Sequence, residues 1–354
     1  MNKTLCYFII GLLLCLFIYK PPFDLTVLNA LIIHFFAFVA LFVIIKQGVY
    51  RNVFYCMCAL IIPLLFLTVT SGIVAAYPMA VAVVAMLALS NSKYTRPIQQ
   101  DDFFSTLALL ILICSFWSLY ESHTGRYSLL NGDPNYTSLI LLTINLLMLK
   151  IVKSKILKNI IYMTILFSVL ITGSRTAVLA LLAYCIASKI KSKFSFFLVL
   201  LFMSVTIQYV AAYILPNLLT YFNFGHIRYL NLDDPSNIER TMIYKDAVDF
   251  IFNRMDYFWI NGTTDYFSMN PDATNIPHNW FVQSILGFGF TYTIIYTLVL
   301  ILVVRKIHFV NYYLYPFICF FIVYSAFLSY YSLTTPLLFI TTIMLILNER
   351  WKLK

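Results

Sequence analysis

Leu215 to Pro277 reads LPNLLTYFNFGHIRYLNLDDPSNIERTMIYKDAVDFIFNRMDYFWINGTTDYFSMNPDATNIP, the one long wet passage in the chain. It carries Arg228, Arg240, Lys245 and Arg254 with a scatter of carboxylates, and it runs into Pro277-His278-Asn279-Trp280, where the next apolar run begins. Loops longer than about 12–15 residues are usually functional or disordered rather than mere connectors. The passage divides the chain into an apolar region spanning 1–214, a large loop at 215–277 and a second apolar region spanning 278–354. We expect the loop to form half of a site whose other half is a membrane domain.

Composition sets the class. Hydrophobic residues make up 62% of the 354 and charged residues 11%, against roughly 25% charge in soluble domains; mean hydropathy is +0.87. The expected fold is all-α: a polytopic membrane protein of about 12 transmembrane helices with one large, partly helical outer loop. A net charge of +10 would suggest nucleic acid in a soluble chain. Here most Lys and Arg sit in the connections between apolar runs, so no nucleic acid is expected as a partner and membrane lipids are. The seven cysteines all fall inside apolar runs. They imply no disulfide framework, and Cys56-Met57-Cys58 is too cramped for a metal site, so they read as small packing residues. Asp101-Asp102 reads as a solvated helix start. No metal, cofactor or nucleotide-binding glycine loop is expected.

Lys3 and the apolar run 5–19 resemble a secretion signal without its cleavage site, so a retained first span is expected. Further runs lie at 27–45, 52–70, 73–89, 103–120, 134–149, 159–174, 176–188, 194–214, 278–304, 309–328 and 332–347. With both termini in the cytoplasm, 17 of the 24 basic residues fall on inside segments, and the short outside connections hold only Lys20, Arg126 and Arg175. That asymmetry obeys the positive-inside rule and turns the large loop outward, towards the periplasm or cell exterior.

Against this background few residues can do chemistry. Arg175 follows Thr172-Gly173-Ser174 at a tight outer joint between two spans, where a positive charge opposes the orientation rule. It reads either as an interfacial Arg reaching for headgroups or as an anion ligand. Arg240 lies in 237–253, whose Ile243, Ala247, Phe250 and Ile251 follow helical spacing and leave Arg240 to a more polar face. Spacing alone makes it an ordinary solvated Arg or a second ligand. Of five histidines, His278 alone sits where the outer loop meets a span, and an imidazole there can exchange a proton near neutral pH; a hydrogen-bonded helix-start histidine is the bland alternative. Asp133-Pro134-Asn135-Tyr136 opens an outer span with a cap and an N1 proline. Asp133, Asn135, Tyr136 and Asn279 are candidate lining of the site.

Taken together these pieces resemble the O-antigen polymerase and ligase superfamily. The resemblance rests on Asp133–Tyr136, the Gly173-Ser174-Arg175-Thr176 joint, the Arg-led helix 240–252, Pro277-His278-Asn279, and Gly287 with Gly289. It runs from about Asp133 to Tyr292. The chain departs from the pattern at Ile238-Glu239 and at Asn261-Gly262-Thr263. The resemblance implies a metal-independent, inverting glycosyltransferase whose donor is an undecaprenyl-diphosphate-linked oligosaccharide. Arg175 and Arg240 would hold the diphosphate and His278 would be the catalytic base. Tyr257, Trp259 and Tyr266 would stack on sugars or anchor at the interface. The polymerase branch, transferring glycan onto another lipid-linked repeat unit with a chain-length regulator as membrane partner, is preferred. Ligation to lipid A-core uses the same residues, and a lipid-linked glycan flippase is the reading from a different class.

Overall fold

A computed structural model describes residues 34–35, 37–45, 51–91, 134–152, 154–214, 235–263, 266–271, 273, 275–310, 314–328, 337–338 and 341. Among them every regular element is helical. The spans expected at 5–19 and 103–120, most of that at 332–347, Asp133, His226, Arg228 and Asp101-Asp102 lie outside the described residues.

The helices that position the site are α1 (Arg51–Asn91), α2 (Pro134–Ile151), α3 (Lys155–Thr172), α4 (Arg175–Lys189), α5 (Lys193–Tyr209) with a π turn at Val210–Ile214, and α6 (Pro235–Asn253). They continue with the short α7 (Met255–Phe258) and α8 (Tyr266–Met269), then α9 (Trp280–Phe288), α10 (Phe290–Val310) and α11 (Leu314–Phe327). Two expectations change here. The runs 52–70 and 73–89 are one helix of 41 residues, ~60 Å long at 1.5 Å per residue. Ser71-Gly72 costs the helix only about 1 kcal/mol and does not break it. The run 278–304 is instead two helices, parted at Gly289 with φ 85.

α3 shows the surroundings for which the fold is built. Its buried face repeats Thr164, Ser168 and Thr172 beside Ile161, Ile165 and Val169. Ile156, Met163, Leu166 and Leu170 face outward, each more than half exposed. α4 does the same, with Ala177, Ala180, Ala183 and Ala187 inward and Leu179, Leu182 and Ile186 outward. Small and hydroxylated residues inside with large apolar ones outside is the pattern of helices packed in lipid, whereas water tolerates no such continuous apolar surface. Among the described residues α3 is the one helix long and apolar enough to cross a membrane by length and composition. α5 and α11 are shorter apolar helices.

α11 is apolar all round and nearly every residue from Leu314 to Ala326 is buried, as befits a central helix. It packs on α4, α5, α9 and α10. At its beginning the Tyr315 hydroxyl donates to the Lys193 carbonyl and Phe317 meets the edge of Tyr184 at 5.3 Å. Lys150 lies 5.7 Å over that same Tyr184 ring. At its far end Tyr324 donates to Ser138, and Ala326 is held from α5. The bundle therefore has two unlike ends. Lys150, Lys189 and Lys193 gather at one; the starts of α2, α4 and α9 meet the ends of α5 and α11 at the other.

Candidate functional site

The second end holds the sequence-predicted residues, and local chemistry explains how. Gly173 closes α3 in the left-handed region (φ 55), which a glycine adopts without strain. Ser174 then caps α4, accepting from the Ala177 amide at 3.2 Å and donating to Asn135 Oδ1 at 2.8 Å. The Asn135 carbonyl accepts from Ser138 Oγ at 2.8 Å, and Ser138 Oγ accepts from the Tyr324 hydroxyl at 2.9 Å. A buried relay of hydroxyls and one amide thus ties α2, α4 and α11 together beside Arg175. That half-buried residue begins α4. A guanidinium in the positive first turn of a helix works against the helix dipole; an anion in front of it would be favoured by both charges.

His278 sits on the other side of the Ala326 junction. Its carbonyl accepts from Gln208 Nε2 at 2.8 Å, and the same nitrogen donates to the Ala326 carbonyl at 2.8 Å. Asn279 is fully buried and caps α9, its Oδ1 accepting from the Phe281 and Val282 amides at 3.0 and 3.2 Å. Its Nδ2 donates to the Ser204 carbonyl at 2.9 Å and the Ala326 carbonyl at 3.4 Å. With four hydrogen bonds the amide is saturated, so Asn279 is a strut beneath His278 rather than an open lining group. Trp280 Nε1 donates to Ser204 Oγ at 2.9 Å and completes the joint. His278 itself is half-buried.

The α6 helix corrects the expectation for Arg240. Its packed stripe is Ile243, Tyr244, Ala247, Val248 and Ile251, and at 100° per residue Arg240 lies on the same face as Tyr244, Ala247 and Ile251. It is half-buried, not on a polar face. Apolar spacing shows which residues are oily, but not which flank α6 presses against the bundle. The stripe meets Ala212 of the π turn and Val282, Ile285 and Leu286 of α9. Beyond the C-terminal end of α6, the Thr263 amide donates to the Leu286 carbonyl at 2.7 Å. The chain thus returns to α9 after leaving α6, and Arg240 stays on the α6 face that packs against α9.

The loop is held there by backbone crossing backbone. A Cβ on Gly262 would lie 2.0 Å from the Gly287 carbonyl oxygen, and one on Gly289 2.8 Å from Ile260 backbone. Thr291 donates to the Trp259 carbonyl through its amide at 3.1 Å and its hydroxyl at 2.6 Å. Of the aromatic candidates, Tyr266 is buried against Phe250, with ring centroids 5.5 Å apart, so it packs the loop core and presents no stacking face. Trp259 is half exposed and stacks on Phe290 at 5.2 Å. Tyr257 donates to the Gly262 carbonyl at 3.2 Å. Burial pushes the Tyr266 phenol up, and pushes Tyr244 up to about 12, with Tyr209 adding to the latter.

Arg175 and Asn135 are thus brought together, His278 and Asn279 share the neighbouring corner, and Arg240 lies on the packed face of α6 without a contact among the described residues that joins it to either. Tyr136 is half-buried against the bundle core. Sequence reasoning misses Ser138, Ser204, Gln208 and Tyr324. Gln208 carries a readable signal, because an amide within an apolar run is costly to bury without a task. Among the described residues no three His, Cys, Asp or Glu side chains form a group able to hold a metal.

Residues 160–297 match the model of a family described as O-antigen ligase. The matched stretch begins in α3 and ends in α10, so it contains Arg175, Arg240 and His278. The match covers less than half of the chain; for this stretch it supports a likeness to the O-antigen ligase and polymerase superfamily, glycosyltransferase-type membrane enzymes of surface polysaccharide biosynthesis, without separating the two branches. No curated protein and no solved structure matches the chain.

Proposed function

We propose, taking the superfamily of residues 160–297 as premise, that the chain is the polymerase of a surface glycan, working without metal on the periplasmic side of the bacterial inner membrane. The donor is a glycan on undecaprenyl diphosphate and the acceptor is the non-reducing end of a second lipid-linked repeat unit. The large loop faces outward, and a chain-length regulator is the membrane partner.

The chemistry asks for little. The bond from the anomeric carbon to the lipid diphosphate breaks, a new glycosidic bond forms to the acceptor oxygen, and the acceptor hydroxyl loses its proton. Negative charge grows on the departing diphosphate. Arg175 and Arg240 grip its oxygens bidentately and stay charged at every relevant pH. Preorganised donors of this kind contribute ~2.7–4 kcal/mol each where one has been removed elsewhere. His278 takes the acceptor proton, a role worth about 10²–10⁴-fold in rate.

The observation that most supports the reading is the 2.8 Å bond from Ser174 to Asn135. It steadies the first turn of α4, with Arg175, at the same end of the bundle as the His278 corner. The family's description favours one second reading, ligation to lipid A-core. The test uses Arg175→Ala, Arg240→Ala and His278→Ala in a deletion strain. Each is expected to abolish the long-chain polysaccharide ladder at normal protein level, and an unchanged ladder in all three would sink the reading. Purified protein given lipid-linked repeat units alone, in chelator, should yield polymer; product only after adding lipid A-core would assign the ligase.

A further inference from the structure

Gln208 is 9% exposed, and its Nε2 bridges two carbonyls from separate elements, those of His278 and Ala326. Its Oε1 is buried with no partner. An orphaned buried acceptor is a net cost, and leucine at this position would avoid it while filling the same space. The amide is therefore explained by its donors. Two converging carbonyls need one nitrogen with two hydrogens, and among side chains of this length glutamine supplies that without charge.

We propose that Gln208 is a positioning residue for His278. Gln208 pins the His278 carbonyl to the end of α11, and Asn279, capping α9 and bonding Ser204 and Ala326, pins the next residue. The His278 backbone is held on both sides of its peptide unit, and only the imidazole torsions are left to place the ring. Reactions that depend on such placement lose about 100-fold for a misplacement of 1 Å. The inference rests on the reading of His278 as the base.

The experiment measures initial rates of the purified full chain, with lipid-linked oligosaccharide extracted from the deletion strain as probe. Gln208→Leu and the milder Gln208→Met are expected to lower kcat about 10- to 100-fold with KM within about twofold. Gln208→Leu combined with His278→Ala should be no slower than His278→Ala alone, as for two residues acting as one unit. Phe317→Leu, at the far end of α11, should lower the melting temperature while kcat holds. Wild-type kcat in both Gln208 variants beside an inactive His278→Ala overturns the positioning role, as does a double variant whose losses multiply. So does a kcat loss in Phe317→Leu equal to that in Gln208→Leu, which would make kcat a report on folding. Full kcat in His278→Ala instead removes the base reading itself, and that arm shows the failure separately.

Discussion

Replacing Asn279 separates the two jobs of its amide. Aspartate matches asparagine in size and is equally good at capping a helix, and serine is too. By capping alone, Asn279→Asp and Asn279→Ser would be nearly harmless, and Asn279→Ala would cost about 1 kcal/mol. The structure gives a different order. The Nδ2 group faces the Ser204 and Ala326 carbonyls at 2.9 and 3.4 Å in a fully buried corner. Aspartate puts a second carboxylate oxygen there, against two carbonyl oxygens. An uncompensated buried charge costs about 3–5 kcal/mol. Asn279→Ser keeps the cap and loses one or two donor bonds, about 1–2 kcal/mol. Asn279→Ala adds the cap to that loss, about 2–3 kcal/mol. Melting of the purified protein in detergent should therefore rank wild type, serine, alanine, aspartate from highest to lowest. Aspartate melting at or above serine would refute the claim that Asn279 is spent on internal bonds.

Four further outcomes are expected. Gly262→Ala pushes a methyl to 2.0 Å from the Gly287 carbonyl; a strain of about 1–3 kcal/mol should speed proteolysis of the loop. Arg175→Lys keeps the charge and loses the fork, so kcat/KM should fall at least about tenfold at unchanged expression, measured on the extracted lipid-linked probe. Tyr324→Phe removes the outermost donor of the relay to Ser138 and should lower stability by about 1 kcal/mol, read by melting. Burial raises Tyr244 to about 12. A phenol whose folded pKa exceeds its unfolded value near 10 stabilises the protein below pH 10 and loses that contribution as pH climbs toward 12. Alkaline unfolding of the wild type should set in earlier than that of Tyr244→Phe.

The chain is most legible where the deciding chemistry is local. Gly173-Ser174-Arg175 reads as a tight joint between two spans, and the structure has one there, closed by Gly173 and restarted by the Ser174 cap. Apolar runs likewise locate α3, α4 and α5. What cannot be read depends on partners distant in the chain. Arg240 reads as solvated because α6 has several oily flanks and only packing on α9 selects one. The break at Gly289 goes with the loop at 260–262 crossing there; the glycines mark the place in the run 278–304, but the backbone that crosses it lies elsewhere in the chain. Asn279 reads as an open group because its partners, Ser204 and Ala326, lie 75 and 47 positions away. Dividing α1 in two is the converse error, in which a weak breaker is given too much authority against a long apolar helix.

The hydroxyl face of α3 bears on how the protein is made. Thr164 donates to the Ile160 carbonyl, Ser168 to Thr164 and Thr172 to Ser168, so each hydroxyl is satisfied within its own helix before any neighbour arrives. Such a segment can leave the insertion machinery alone and wait in lipid at little electrostatic penalty. Biogenesis then separates into entry first and docking second. The relay from Tyr324 to Ser174, which needs three helices at once, belongs to the later stage.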